Sequence, residues 1–213
     1  MNSRLYHFLS SASALAAVIA LFISIKSCQV SNDALNLAGN EYIQERTLIL
    51  TANFPESDDG ITLKPTNAEI TLLRGTVTFP PEIYTEAVPI SSNGELWRMG
   101  GIIPSLQSYI LKKVPREDDV IKVQSSQVPV IVDSYYAAKG DTYTDKSLYF
   151  LGYDAFVYED TYKSPSIHFR DLVFALRETN ESNEISPDDL NKIINNQSYV
   201  RMPHGLPSTS PKK

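Results

Sequence analysis

The chain holds one cysteine, Cys28, among 213 residues. No disulfide can staple it internally, and no cage of several thiolates can form. Histidine is almost as scarce, with His7, His168 and His204 as the full set. No H-E-x-x-H pair and no G-x-S-x-G turn occurs, which removes the common zinc-hydrolase and serine-hydrolase signatures. Glycine numbers nine, and Met99–Gly100–Gly101 lacks the G-x-x-G-K continuation that cradles phosphate. Positive charge is short as well: 19 Lys and Arg face 25 Asp and Glu, a net charge of −6. Lys112–Lys113 is a compact basic pair, and Arg116 is offset by Glu117, Asp118 and Asp119. A nucleic-acid partner is therefore not expected, because neutralising phosphates takes clustered cations.

What stands out instead is an uncharged run. Phe8 to Ile25 reads FLSSASALAAVIALFISI, 18 residues without a charged side chain. Leu5, Tyr6 and His7 lengthen it, and a bilayer core of ~30 Å needs ~20 mainly apolar helical residues. A retained single-pass helix, a signal-anchor, fits best. A cleaved signal has a shorter apolar core of ~7–15 residues. A lipoprotein signal ending at Cys28 meets Lys26 two residues before the cysteine, a poor match. Arg4 before the run and Lys26 after it nearly balance, so the positive-inside rule does not choose the side on which the rest of the chain lies.

The expected organisation is a membrane anchor over 1–26, a helical stalk over 27–46 and a β-rich domain over 47–179. A linker with a short helix follows over 180–200, then a disordered tail over 201–213. In the stalk, Val30, Ala34, Leu37 and Ala38 share one face, and Gly39–Asn40 weakens the helix. From Thr47 the apolar period becomes two. Leu48, Leu50, Ala52 and Phe54 alternate, and Ile61 and Leu63 follow the turn PESDDG, which predicts a hairpin. Ala68, Ile70 and Leu72 open another strand, continued by Val77 and Phe79 and stopped by Pro80–Pro81.

A central helix is expected within 95–113, with Met99–Gly100–Gly101 as a turn before it and Pro104 in its first turn. Lys112 to Asp119 reads as an exposed turn. Val120–Val123 and Val128–Val132 read as two strands. Ser147 to Tyr158 is the strongest strand, apolar on both faces and hence central. Ile167 to Leu176 is another, with an irregularity near Asp171. Ser186, Pro187, Asp188 and Asp189 then start a helix, with Ile185 and Leu190 placed for a hydrophobic staple. Many short strands predict a mainly β antiparallel sandwich or barrel, with a mixed α+β sheet carrying the 104–113 helix as the runner-up.

Candidate chemistry is sparse. His168 with Asp171 is one possibility, but alternation turns these positions to opposite faces unless a bulge intervenes. A lone strand histidine usually faces solvent. Asp141 and Asp145 flank one predicted loop and Asp58 with Asp59 sit in another. Neither matches the D-x-[DN]-x-[DN]-G spacing for Ca²⁺. Asn180-Glu-Ser182 and Asn196-Gln-Ser198 fit the glycosylation pattern, which arises often by chance. Tyr135, Tyr136, Tyr143, Tyr149, Tyr153, Tyr158 and Tyr162 form either a recognition face or ordinary cross-strand pairs. The expectation is no catalytic, cofactor-binding or metal-binding set, and no cofactor. The leading reading is a protein-binding or accessory module held at the bilayer through Phe8 to Ile25. A tethered hydrolase using His168 with a carboxylate from another strand is one alternative. A structural spacer is the other.

Overall fold

The computed structural model describes residues 3–55, 60–96, 99–178 and 184–195, with side chains from residue 20 onward. The expected tail over 201–213, the loop aspartates Asp58 and Asp59 and both glycosylation patterns lie wholly or partly outside these residues. The chain divides into two compact units, residues 1–47 and 48–213.

The first unit is one helix, α1 (Ser3–Arg46), of 44 residues. At 1.5 Å per residue it is about 66 Å long. The expected weak point at Gly39–Asn40 does not break it, because one glycine costs only about 1 kcal/mol against a long cooperative helix. Thr47 closes its end: its N–H donates to the Gln44 carbonyl at 3.3 Å and its hydroxyl to the Ile43 carbonyl at 2.7 Å. Among the described residues no helix is long and apolar enough to cross a membrane. Those side chains begin at Ala20, so most of the run Phe8–Ile25 lies outside them.

The second unit is mainly β with antiparallel sheets. Strands β1 (Leu50–Asn53) and β2 (Thr62–Pro65) form the expected hairpin. A five-stranded sheet is built from β3 (Ile70–Thr78), β4 (Val88–Ile90), β5 (Lys122–Ala138), β6 (Asp141–Val157) and β7 (Ser166–Arg177). Its spatial order is β4-β3-β5-β6-β7. Helix α2 (Met99–Lys113) lies between β4 and β5 in sequence, and α3 (Pro187–Ile194) follows β7.

Three sequence expectations are corrected here. The two strands at 120–123 and 128–132 are one strand, β5, because Gln124 to Gln127 continue the ladder opposite β6 without a break. Cross-strand hydrogen bonds hold these polar residues extended where side-chain pattern alone gives no strand signal. Met99–Gly100–Gly101 is the first turn of α2 rather than a turn before it. A Cβ at Gly101 would press on the Tyr84 hydroxyl at 3.3 Å, so the glycine serves close packing. Pro104 accordingly sits past the first helical turn. The segment GDTYTD is not a loop either. Lys139 and Gly140 alone turn the chain, with φ of 51° and 87°, the mirror-image conformation suited to a two-residue hairpin. Asp145 therefore lies well inside β6.

The main core occupies one face of the sheet. Tyr149, Leu151, Tyr153, Ala155 and Val157 all point into it from β6, as their alternation predicts. The β1–β2 hairpin contributes Leu50 and Leu63 to this core, and α2 contributes Ile102, Leu106, Tyr109 and Ile110. The layer opposite the large sheet thus holds both a small sheet and a helix. A smaller core lies on the other face, where Ile185 and Leu190 meet Ile131, Leu148 and Ala175. The expected staple of the last helix is this contact. Asp189 accepts from the Ser186 N–H at 3.2 Å and from its hydroxyl at 2.7 Å, which fixes the helix start.

One polar stitch crosses the main core. The Asp145 carboxylate, 5 % exposed, pairs with Arg177 and accepts from the Ser147 hydroxyl at 2.6 Å. Arg177 also donates to the carbonyl of Leu48. The N–H of Leu50 donates to the Tyr149 hydroxyl at 3.1 Å, and burial pushes that phenol up to about 12. Arg177→Met should destabilise the domain by about 3–5 kcal/mol, because it strands a buried carboxylate. Adding Asp145→Leu should recover most of the loss. Chemical denaturation measures both, and a cost below about 1 kcal/mol for the single variant would show that the pair is not stabilising.

Candidate functional site

A groove of about 870 Å³ lies on the sheet face that carries α3. Its floor comes from register. Thr76, Asp133 and Lys146 lie across neighbouring strands, because Thr76 pairs with Asp133 and Asp133 with Lys146. Alternation places Asp133 on the face of Ile131, and Lys146 on the face of Leu148. Arg74 stands at one side, its guanidinium 5.3 Å from the Tyr135 ring centre. Glu178 and Glu184 stand at the other, 3.0 Å and 3.7 Å from the Lys146 ammonium.

These charges hold one another rather than standing ready for chemistry. Glu178 accepts from the Ile185 N–H at 3.0 Å, and this bond, followed by the Lys146 contact, holds its carboxyl below the usual range. Glu178 thereby ties the lead-in of α3 to the sheet. Desolvation on the strand floor raises Asp133, opposed by Lys146 and reinforced by Glu178 and Asp145. Desolvation works against the Lys146 ammonium, yet its bond to Glu178 and the carboxylates around it carry it above its ordinary value. The groove is a mixed-charge surface with more acid than base. No cluster of three metal-ligating side chains occurs among the described residues.

His168 lies elsewhere on the same sheet face, towards the other end. Strand β7 carries a bulge at Arg170: Phe169 pairs with Tyr153, while Asp171 pairs with Gly152. The extra residue turns Asp171 to the face of His168, which strict alternation would forbid. Asp154 pairs directly with His168 across the ladder. The three side chains still form no catalytic constellation. Asp154 is taken by the Ser125 hydroxyl at 2.5 Å and by Arg170 at 3.4 Å. One Asp171 oxygen is buried without a partner among the described residues, packed over Gly152. His168 is exposed and rests edge-on against Phe156, with ring centres 5.6 Å apart.

The tyrosines do not form one recognition face. Tyr149 and Tyr153 are core residues, and Tyr136 stacks on Tyr143 at 5.6 Å. Tyr135 lies under Arg74, Tyr158 bonds Ser166, and Tyr162 stands alone at 97 % exposure. Asp141 ends at the hairpin turn, and Asp145 is the buried partner of Arg177. Cys28 is free and exposed on α1. Sequence reasoning missed the Asp145–Arg177 pair. The two residues are 32 positions apart, and only the β6–β7 register joins them.

Comparison with known proteins finds no matching family model, no matching curated protein and no matching solved structure.

Acid should loosen α3 before the rest of the domain. Glu178 is held below its ordinary value, and Asp189 is held at about 2 by Lys192 and Ser186. Depressed carboxylates stabilise the fold above their unfolded values of ~4.3 and ~3.9 and lose that contribution as pH falls through the folded ones. Protection of the Ile185 and Leu190 amides, their exchange relative to the unfolded chain at the same pH, should therefore fall from about pH 4.5 downward, and Glu178→Gln should flatten the trend. Raised Asp133 has the opposite sign, so Asp133→Asn should steepen it. Separately, His168→Ala should change stability by less than about 0.5 kcal/mol, as measured by denaturation.

Proposed function

We propose that this chain is a single-pass membrane protein whose antiparallel β-domain, sandwich-like in its layers, acts as a protein-binding or accessory module at the bilayer. The observation that carries the reading is on α1. Leu21, Phe22, Ile23 and Ile25 are 62, 64, 65 and 50 % exposed. At about 100° per residue they point to different sides of the helix, so no one-sided packing partner buries them all. An apolar medium around the helix would bury them, and it is their uncharged run that sets them apart from the equally exposed Val30, Leu35 and Ile43. The uncharged run Phe8–Ile25, 18 residues long, supports reading the same helix as a membrane anchor.

The domain's role follows from its surface. The described residues carry charge pairs that satisfy one another and no reactive set, while polar and apolar faces stay open. Such a surface suits recognition better than turnover. The alternative of a hydrolase on His168 is weaker, because Asp154 is committed to Ser125 and Arg170. A spacer role leaves the open groove unused.

Alkaline carbonate washing of membranes tests the anchor. The full chain should stay in the pellet, and the variant Leu21→Arg/Ile23→Arg should move to the supernatant. Full release of the unmodified chain contradicts the anchor. Purification in mild detergent tests the module: a protein should come through with the chain at defined stoichiometry, and recovery of the chain alone across several detergents contradicts binding.

A further inference from the structure

The large sheet has a third free edge besides its two outermost strands. Strand β3 pairs with β5 only as far as Thr78 opposite Ile131. Strand β5 continues back to Lys122, paired on its other side with β6. Lys122 to Gln127 therefore have a strand neighbour on one side alone. None of the six is buried, whereas Val128, the next residue, is fully enclosed. No described backbone group bonds to their free side. At ~3.3 Å per residue this edge runs about 20 Å and turns roughly three N–H and three C=O groups outward.

The other edges are guarded. Strand β4 has three residues and contains Pro89. Strand β7 carries two irregularities in register, and His168, Arg170 and Asp171 line one of them. Bulges, charge, proline and shortness are the means by which sheets discourage added strands. Between Lys122 and Pro129, which bound it, Val123-Gln-Ser-Ser-Gln127 carries no charge, no proline and no bulge.

The surroundings of the open edge are held in place. Arg116 donates to the carbonyls of Tyr158 and Asp160 at 2.6 Å and of Lys163 at 2.9 Å. The Asp119 N–H donates to Glu159 at 2.7 Å. These bonds fix the loop after β6 beside the start of β5 and keep Tyr162 in solvent. Ile121 and Val123 are also exposed, at 58 and 60 %. The two segments that meet here, 116–122 and 158–163, hold Glu117, Asp118, Asp119, Glu159 and Asp160 against Arg116, Lys122 and Lys163, a net acidic balance.

The geometry points to Lys122–Gln127 as a docking edge for an extended segment of a partner protein, which adds a strand beside β5 through main-chain hydrogen bonds. This deepens the protein-binding reading above and rests on it. Main-chain bonds supply the affinity, and alternate side chains of the partner supply the selectivity. The acidic corner asks for Lys or Arg where the partner strand passes Asp118. The apolar side chains there ask for aliphatic or aromatic residues on the partner's facing side.

The test uses the full chain in its own membranes with a benzophenone amino acid at Gln127 as the probe. A heterologous protein adduct should form. A proline at whichever of Val123 and Gln124 turns its N–H outward should reduce it about tenfold, while Gln124→Ala leaves it intact. Amides 123–127 should exchange about tenfold more slowly in the isolated complex than in the chain alone, a readout that needs no folded proline variant. An adduct unaffected by the proline, with unchanged exchange, overturns the edge but leaves the binding reading standing. An adduct of two copies of this chain, or slow exchange in the chain alone, overturns it too. Absence of any adduct, with no protein co-purifying, sinks both.

Discussion

The interaction on which the domain's layering depends is the buried pair of Asp145 and Arg177. Strands β1 and β2 have four residues each, and a lone two-stranded hairpin of that size is marginal in water. Its place over the sheet rests on the apolar contacts of Leu48, Leu50 and Leu63, on backbone bonds of β2 to residues 94–96 (Leu63 N–H to the Gly94 carbonyl, 2.8 Å; Leu96 N–H to the Ile61 carbonyl, 2.9 Å) and on a polar stitch to β6 and β7. Arg177 reaches the Leu48 carbonyl from β7 while Asp145 on β6 neutralises it. The Tyr149 hydroxyl takes the Leu50 N–H. The first strand is thus tied to the interior strand β6 and to the edge strand β7. The arrangement also specifies register, since a one-residue slip of β7 would turn Arg177 to the opposite face.

Much of this architecture is readable from the residues. The hairpin after residue 47, the stop at Pro80–Pro81, the two-faced strand around Tyr149–Tyr158 and the staple of Ile185 on Leu190 follow from period and turn chemistry. Even the irregularity near Asp171 is foreshadowed by a broken alternation. The misses share a cause. Gln124-Ser-Ser-Gln127 carries no apolar period, so its extended form depends on the β6 ladder, a contact between residues about 30 apart. The pairing of Asp145 with Arg177 is equally non-local. The helix start at Met99 needed the knowledge that Tyr84 packs against Gly101. Local signals name elements; they do not name the partners that complete a charge pair or leave an edge bare.

The functional reading gathers around surfaces rather than reactive atoms. The mixed-charge groove is a set of mutually satisfied ions that holds α3 down. The His168 face has lost its nearest carboxylate to Ser125 and Arg170. Two exposed features stand out among the described residues: apolar surface on α1 and backbone hydrogen-bonding capacity along β5. In the reading proposed above, lipid would cover the first and an added strand would complete the second. The proposed role joins the two: one protein segment held at a membrane.

The claim beneath all of this is that α1 lies in a bilayer. Cys28 as the lone cysteine makes that directly measurable. A spin label scanned through positions 20–28 of the Cys28→Ser chain in lipid vesicles reports depth by its relative accessibility to oxygen and to a water-soluble nickel complex. The account predicts high oxygen and low nickel access at positions 21 to 25, with nickel access rising by position 28. Uniform nickel access across the scan, or access that oscillates with the helical period, would place the helix at a water-exposed surface and contradict it.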